Sequence, residues 1–372
     1  MQAKILFVIP DLGGGGAEKI LVNLVNNLDT KKFDVSVLVM FDGGVNRQFL
    51  SPKIKYRAVF KRYHRGLVRT LKLFKPEFLF QQLIGDEYDV VVSFYESYFT
   101  RIVAGGTGKT KLVSWVHRNF STTYRMENFF RSKKELLKYY ANFDRTYFVS
   151  QMALESFINE VADERASYSV VPNVVETDII RRQATEALPL KFDPSYFNLL
   201  GIGRFTHVKG FERLIRTIAR LRDEDDLKVH LYLLGQGELR AEYQKLIQEL
   251  QMNMAITILA YDANPYKYLK AANLYIVSSF YEGLSTTTTE ALIVGTPVLT
   301  VNVSGASELL ADGRAGVITE NNDESLYLGI RKVLTTDGYL ADLKSRAIER
   351  GNDFNTDRIV AIVEKKIMEI VD

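Results

Sequence analysis

Ile5-Leu6-Phe7-Val8-Ile9-Pro10-Asp11-Leu12-Gly13-Gly14-Gly15-Gly16-Ala17-Glu18 decides the fold. Five consecutive apolar residues stop at a proline, which suits a strand covered on both faces. Four glycines follow, and over 17–28 the apolar residues recur at helical spacing. A buried strand that turns through glycine into a helix is the opening unit of a parallel α/β sheet. The apolar run is shorter than the roughly 7–15 residues of a signal-peptide core, so a strand is the reading here too.

The same alternation continues outward from this stretch. Residues 33–40, 88–94, 111–116 and 145–149 are short apolar runs and predict further buried strands. The pattern then restarts. Strands are expected at 196–202, 228–234, 255–260, 274–278 and 298–301, with helices at 210–222, 238–250 and 265–272. A chain of 372 residues fits two domains of roughly 150–200 residues. The expected division is 1–178, 179–355 and a C-terminal helix, with the join across Val171-Pro172-Asn173 and the polar stretch 181–193. The final segment, 356–372, is amphipathic. Its periodicity alone does not say which half it packs on, and it is assigned to the N-terminal domain.

Composition narrows the chemistry. Cysteine is absent, which excludes disulfides and thiolate catalysis and suits a reducing, cytoplasmic compartment. The four histidines show no ligand spacing for zinc. Nothing approaches the ~18 apolar residues of a membrane span. Charge is uneven: residues 1–178 hold 25 Lys/Arg against 19 Asp/Glu, and the remainder 23 against 26. Much of the excess lies in 53–75, where nine cations occur without an acid, interleaved with Val59, Phe60, Tyr63, Leu67, Leu71, Leu73 and Phe74. Such a segment is either a solvated basic face or a contact with anionic lipid. The aromatic, basic stretch 120–140 extends it.

Ligands of open α/β sheets bind beyond the carboxyl ends of the strands, and the notable motifs fall there. Gly14, Gly15 and Gly16 allow close backbone approach and precede a helix start, which favours phosphate or sugar oxygens; a tight turn is the plainer alternative. In Gly201-Ile202-Gly203-Arg204-Phe205-Thr206-His207-Val208-Lys209-Gly210, two cations five residues apart can converge on one anion. A departing diphosphate needs such neutralisation; a solvated basic loop is the other reading. In Tyr281-Glu282-Gly283-Leu284-Ser285-Thr286-Thr287-Thr288-Thr289-Glu290, threonines are poor helix formers but can cap free N–H groups at a strand-to-helix turn. Glu282 and Glu290 suit sugar hydroxyls, or the acid pair of a hydrolase.

Taken in order, these motifs resemble a retaining glycosyltransferase of family 4. They are Gly-Gly-Gly-Ala-Glu, the Gly-Arg loop with its lysine, Leu-Gly-Gln-Gly-Glu at 234–238, and two glutamates with seven residues between them. The resemblance spans essentially the whole chain. It implies the GT-B architecture, two Rossmann-like domains facing across a cleft. It implies a nucleotide-sugar donor, most often a UDP-sugar, and a glycan or lipid-linked acceptor in capsule, exopolysaccharide or lipopolysaccharide synthesis. No metal or other cofactor and no nucleic-acid partner is expected.

Residue by residue, the resemblance puts Arg204 and Lys209 on the donor diphosphate beside Gly203. Glu282 takes the donor sugar hydroxyls, and the N–H groups of Gly283, Leu284, Ser285 and Thr286 lie near sugar and phosphate. Glu290 holds the ribose, Tyr261 belongs to the base pocket, and Gly14–Gly16 face the phosphates or acceptor. His117, in Ser114-Trp115-Val116-His117, matches the family's active-site histidine. Asn173 matches an interdomain segment, and Glu308 is a structural carboxylate.

Competing readings are weaker. Gly105-Gly106-Thr107-Gly108-Lys109-Thr110 suggests a phosphate-binding P-loop, but Val103 stands where the first glycine is required and a strand follows instead of a helix. Asp223-Glu224-Asp225-Asp226 follows a helix and reads as a solvated turn. A non-catalytic partner of another transferase would have lost Arg204, Lys209, Glu282 or Glu290, and all four are present. Epimerases and sugar phosphorylases share the architecture.

Overall fold

The fold is that of a computed structural model, in which the described residues are 2–62, 66–118, 120, 125–161, 165 and 167–371. The chain divides into two compact units, residues 1–175 with 356–372, and residues 176–355.

The first unit is built on seven parallel strands: β1 (Ala3–Ile9), β2 (Phe33–Phe41), β3 (Lys55–Phe60), β4 (Val90–Ser93), β5 (Lys111–Val116), β6 (Arg145–Phe148) and β7 (Tyr168–Val170). Their order is β3-β2-β1-β4-β5-β6-β7, so the winding reverses between β1 and β4. The central strands are buried nearly throughout, because helices cover both faces. Below the sheet, Phe80, Phe99, Phe130, Phe148 and Phe157 are among the residues of one apolar core.

The second unit repeats the plan with six parallel strands: β8 (Phe197–Ile202), β9 (Val229–Leu234), β10 (Ile256–Leu259), β11 (Leu274–Val277), β12 (Val298–Val301) and β13 (Val317–Thr319). The order β10-β9-β8-β11-β12-β13 places its reversal between β8 and β11. Two doubly wound parallel sheets in succession are the α/β class expected from the sequence, with the strand order of Rossmann-like halves.

The helix Thr356–Val371 belongs to the first unit. Its Ile359, Val363 and Ile367 are buried. Glu364 accepts the Asp29 N–H at 2.7 Å and pairs with Lys32 at 2.6 Å, and the Tyr147 hydroxyl donates to Lys366 O at 3.2 Å. The chain passes into the second unit at Glu176, where the helix Thr177–Gln183 begins; Thr177 Oγ1 donates to Phe354 O at 2.6 Å.

The segment 53–75 is composite: it holds β3, a short helix (Leu67–Thr70) and a 3-10 turn (Leu71–Leu73). Its Tyr63, His64 and Arg65 lie outside the described residues. Gly105 and Gly106 follow the helix Tyr98–Val103, and a Cβ at Gly105 would lie 2.2 Å from the Pro76 carbonyl carbon. That glycine serves helix-to-helix packing and holds no phosphate loop.

Candidate active site

In the second unit, the exits of β8 and β11 flank the reversal of the sheet, and they are fastened together. Gly210 has φ +61° and starts the helix Phe211–Asp223; a Cβ there would meet Ser278 O at 2.1 Å. Ser278 Oγ donates to Lys209 O at 3.0 Å, and the Phe280 N–H donates to Val208 O at 2.8 Å. Arg213, 4% exposed, donates from Nε to Ser278 O at 2.7 Å and from Nη2 to Ser279 O at 2.9 Å, with its guanidinium 4.2 Å over the Phe280 ring. Main-chain carbonyls at a strand exit cannot pair within the sheet, so a buried arginine satisfies them.

This fastening places Lys209 against Glu282. Nζ lies 2.6 Å from Oε1, and Ser279 Oγ donates to the same oxygen at 2.5 Å. Gly203 lies under the lysine stem: a Cβ there would touch its Cγ, Cδ and Cε at 3.3–3.4 Å. Arg204, in the same loop, is exposed and has no hydrogen-bond or ion-pair partner among the described residues. One cation is thus neutralised by the glutamate and a second is uncompensated.

The turn after β11 runs into the helix Thr286–Ile293. Ser285 is its N-cap, accepting from the Thr288 N–H at 3.3 Å, and Thr288 Oγ1 donates to Ser285 Oγ at 3.0 Å. The four threonines therefore form the first helical turn, with Thr288 and Thr289 buried, and the capping expected of them falls to Ser285. Among the described residues, the N–H groups of Gly283, Leu284, Ser285 and Thr286 have no partner. Four free donors at a helix start form an anion-favouring cradle. Beneath it, the Tyr275 hydroxyl is buried near Ser285 and Thr287, and burial holds its pKa above the usual phenol value. Gly305, at φ +75°, gives room to Leu284. Glu290 is buried on the same helix at 4% exposure. Tyr261 stands apart, 58% exposed beyond the edge strand β10.

In the first unit, Gly13–Gly16 follow β1. The Gly13 N–H donates to Asp11 Oδ1 at 2.7 Å, and Gly15 caps the helix Gly16–Asn27. A Cβ on Gly15 would lie 2.2 Å from Glu18 Oε2, so the carboxylate folds back over the helix start. Gly14 faces open space apart from Val45 at 3.5 Å.

His117 follows β5. Its Nε2 is buried and has no partner among the described residues, and the ring lies 4.6 Å from Phe94 and 6.4 Å from both Tyr95 and Trp115. Burial lowers its pKa to about 3, so the imidazole is neutral at physiological pH. Glu96, which the sequence reading passed over, sits at the exit of β4 between the glycine loop and His117. Its Oε1 accepts the N–H groups of His117 and Arg118, each at 2.8 Å. Arg213 was missed as well. Each lies at or beside a strand exit, which was the available signal. Among the described residues no group of three or more His, Asp or Glu is placed to hold a metal.

The arrangement can bind an anion and a polyhydroxylated ligand in the second unit, through cations, free N–H groups and a carboxylate. The sequence model described as Glycosyltransferase Family 4 matches residues 14–179, and that described as Glycosyl transferases group 1 matches residues 188–351. A Campylobacter jejuni relative, N-acetylgalactosamine-N,N'-diacetylbacillosaminyl-diphospho-undecaprenol 4-alpha-N-acetylgalactosaminyltransferase, is 28% identical over 96% of this chain and 97% of its own. A second Campylobacter jejuni enzyme, a GalNAc-alpha-(1->4)-GalNAc-alpha-(1->3)-diNAcBac-PP-undecaprenol alpha-1,4-N-acetyl-D-galactosaminyltransferase, is 25% identical over 99% of each chain. Among solved structures, Anabaena HepE in complex with UDP and glucose superposes with a TM-score of 0.79 at 18% identity, covering 99% of this chain and 100% of that one. With both halves matched in order by these models and full-length relatives that transfer sugars, the chain belongs to the family 4 glycosyltransferases of GT-B fold.

Proposed function

We propose that this glycosyltransferase moves a sugar from a UDP-sugar to a lipid-linked glycan, with retention at the anomeric carbon and without a metal ion. The observation that carries the reading is the Lys209–Glu282 contact at the sheet reversal, beside the uncompensated Arg204 and the free N–H groups of Gly283 to Thr286. A bound diphosphate would draw Lys209 toward itself and join Arg204, so that two cations face the charge developing on the leaving group. Glu282 Oε1 is held by Ser279 as well, which keeps the carboxylate in place while its other oxygen receives sugar hydroxyls. Glu290 is assigned to the ribose, Tyr261 to the base, and Gly14, Gly15 and Gly16 to the acceptor side.

The bond from the anomeric carbon to the diphosphate oxygen breaks, and the bond to the acceptor oxygen forms on the same face. The acceptor proton passes to the leaving phosphate oxygen. Arg204 and Lys209 supply the positive charge that a divalent cation supplies in other transferases. The uridine and lipid assignments are supported by relatives: HepE was solved with UDP, and the two Campylobacter enzymes are named for undecaprenol-linked acceptors. A thermal-shift panel of UDP-, GDP- and ADP-sugars tests the donor. A UDP-sugar at about 100 times its Kd stabilises by about 2.7 kcal/mol. The donor assignment is wrong if no UDP-sugar raises the melting temperature.

The same reading places the enzyme on the cytoplasmic face of an anionic membrane, where a lipid-linked acceptor resides. No helix among the described residues is long and apolar enough to cross a membrane. Within the basic segment, Lys55, Arg57 and Lys72 are occupied by Asp34, Leu83 O, and the carbonyls of Asn128 and Phe130. The surface that supports docking is narrower. Buried Arg101 pairs with Glu135 at 2.9 Å and donates to Leu71 O and Phe74 O, fixing a loop that leaves Leu73 78% and Phe74 47% exposed. Phe78 stacks on Phe74 at 5.8 Å, and Arg69, Lys75, Lys133 and Lys134 are exposed. Apolar tips ringed by cations suit an anionic leaflet.

A further inference from the structure

The exits of β4 and β5 are tied by a contact that no strand ladder requires. Glu96 is 1% exposed, three residues beyond the end of β4, and one of its oxygens accepts two consecutive N–H groups from the neighbouring exit, those of His117 and Arg118. Its other oxygen, Oε2, is buried and has no partner among the described residues. The main chain of Glu96 is locked from the far side. Ser97 caps the helix Tyr98–Val103, accepting from Phe99 N at 3.1 Å, while Thr100 Oγ1 accepts from the Ser97 N–H at 3.1 Å and is bonded to Ser93 Oγ at 3.0 Å. The aromatic packing of Phe94 and Tyr95 on His117, with the Arg118 guanidinium 4.8 Å over Tyr95, completes one rigid piece.

Binding two N–H groups does not require a carboxyl. A glutamine oxygen would accept both without the cost of burying an ionisable group, its amide nitrogen taking the place of Oε2. A carboxyl there ties the strength of the bridge to its ionisation. We propose that Glu96 is a positioning residue for sugar transfer, its carboxylate holding the main chain of His117 and Arg118 in the conformation that the reaction needs. The proposal rests on the assignment of His117 to the active site.

The groups facing the carboxyl are His117, Arg118 and Tyr140, whose hydroxyl is bonded to Ser114 Oγ at 2.6 Å. Burial raises the Glu96 pKa to about 7, and its own N–H, with those of Arg118 and His117, opposes that rise. The ionised form is the better acceptor for two donors, whereas a proton on Oε2 has nothing to donate to. The bridge is therefore strongest above neutral pH and loosens below it.

The test uses the full chain with UDP-glucose, UDP-N-acetylglucosamine and UDP-N-acetylgalactosamine, each with an undecaprenyl-diphosphate-linked glycan as acceptor, following UDP release. UDP affinity is measured separately by calorimetry. The E96A variant is expected to lose about tenfold to a hundredfold in kcat at pH 7.5, with UDP affinity within twofold of the parent. The E96Q variant is expected to recover kcat to within about threefold, and to lose the acid limb near pH 7 that the parent shows in kcat/KM. A purely structural contact would lower the melting temperature without moving that limb. The role is overturned if folded E96A turns over like the parent, or if E96Q keeps the limb. If E96A does not fold, the E96Q pH profile decides. A parent that binds UDP yet releases none from these donors overturns the assigned reaction together with this role, whereas equal turnover in parent and variant overturns the role alone.

Discussion

Replacing Lys209 by methionine separates what its contact with Glu282 does for the fold from what it does for the reaction. The two charged groups are 2.6 Å apart, with side chains 25% and 13% exposed. At an effective dielectric of about 20 their attraction is about 6 kcal/mol before desolvation. Water reaches both groups and burying them is costly, so the net contribution is about 1–2 kcal/mol. In a unit of this size that is a fall of roughly 2–8 °C in melting temperature. For transfer, losing one preformed cation facing the departing diphosphate costs about 2.7–4 kcal/mol, or about a hundredfold to a thousandfold in kcat. Adding Glu282→Gln to Lys209→Met removes the unpaired carboxylate and should restore most of the lost stability. It should restore none of the activity. Initial rates of UDP release, read beside thermal melts of the parent, both single variants and the double variant, give the cycle. If the double variant regains turnover along with stability, the pair is structural and the donor-site reasoning fails.

Arg213→Met leaves the Ser278 carbonyl unpaired and takes one of two donors from the Ser279 carbonyl, and should destabilise the second unit by about 1–3 kcal/mol, seen as a lowered melting temperature and weaker UDP binding. Unchanged melting would show that the strand exits are fastened otherwise. The paired replacements Leu73→Ser and Phe74→Ser, or Arg69→Glu and Lys75→Glu, should each weaken cosedimentation with phosphatidylglycerol vesicles by about tenfold or more; equal binding removes the membrane contact. Glu96 and His117 pull the pH dependence of stability in opposite directions. From pH 4.5 to about 7 the folded chain retains the Glu96 proton that the unfolded chain loses, so stability falls as pH rises. From about 3 to 6.5 the unfolded chain holds a His117 proton that the folded chain refuses, so stability rises with pH. The two slopes offset each other between pH 4.5 and 6.5. Glu96→Gln should therefore make the protein lose about 3 kcal/mol across that window on acidification, relative to the parent. Equal slopes in melts at pH 6.5, 5.5 and 4.5 would contradict it.

The inner strands were legible because both of their faces are covered, which leaves near-continuous apolar runs such as Val90–Ser93 and Val298–Val301. The strands that escaped the sequence reading are β3, β7 and β13, all at sheet edges. Lys55–Phe60 alternates lysine, arginine and half-buried apolar residues, and its charges concealed it inside a segment read for lipid contact. The charges proposed for the donor site were legible because Arg204, Lys209 and Glu282 sit in glycine-bearing turns after buried runs. Glu96 has no such frame. What marks it is a pair of main-chain N–H groups more than twenty residues away, and only folding brings them together. Arg213 looks like a solvent-facing cation on an amphipathic helix until the carbonyls of the next strand exit are placed beside it.

The last helix has a consequence for how the protein is made. Thr356 Oγ1 donates to Val175 O at 2.7 Å, so residues 181 positions apart meet within the first unit, and the second unit is an insertion between them. At roughly 5–20 residues per second, the ribosome needs about ten to forty seconds to add the inserted unit. During that interval the first sheet lacks the helix that buries Ile359, Val363 and Ile367 against it, and Glu364 cannot yet close on Asp29 and Lys32. The inserted unit, complete in sequence before the closing helix emerges, is free to mature first. The first unit to be synthesised is thus the last to be finished.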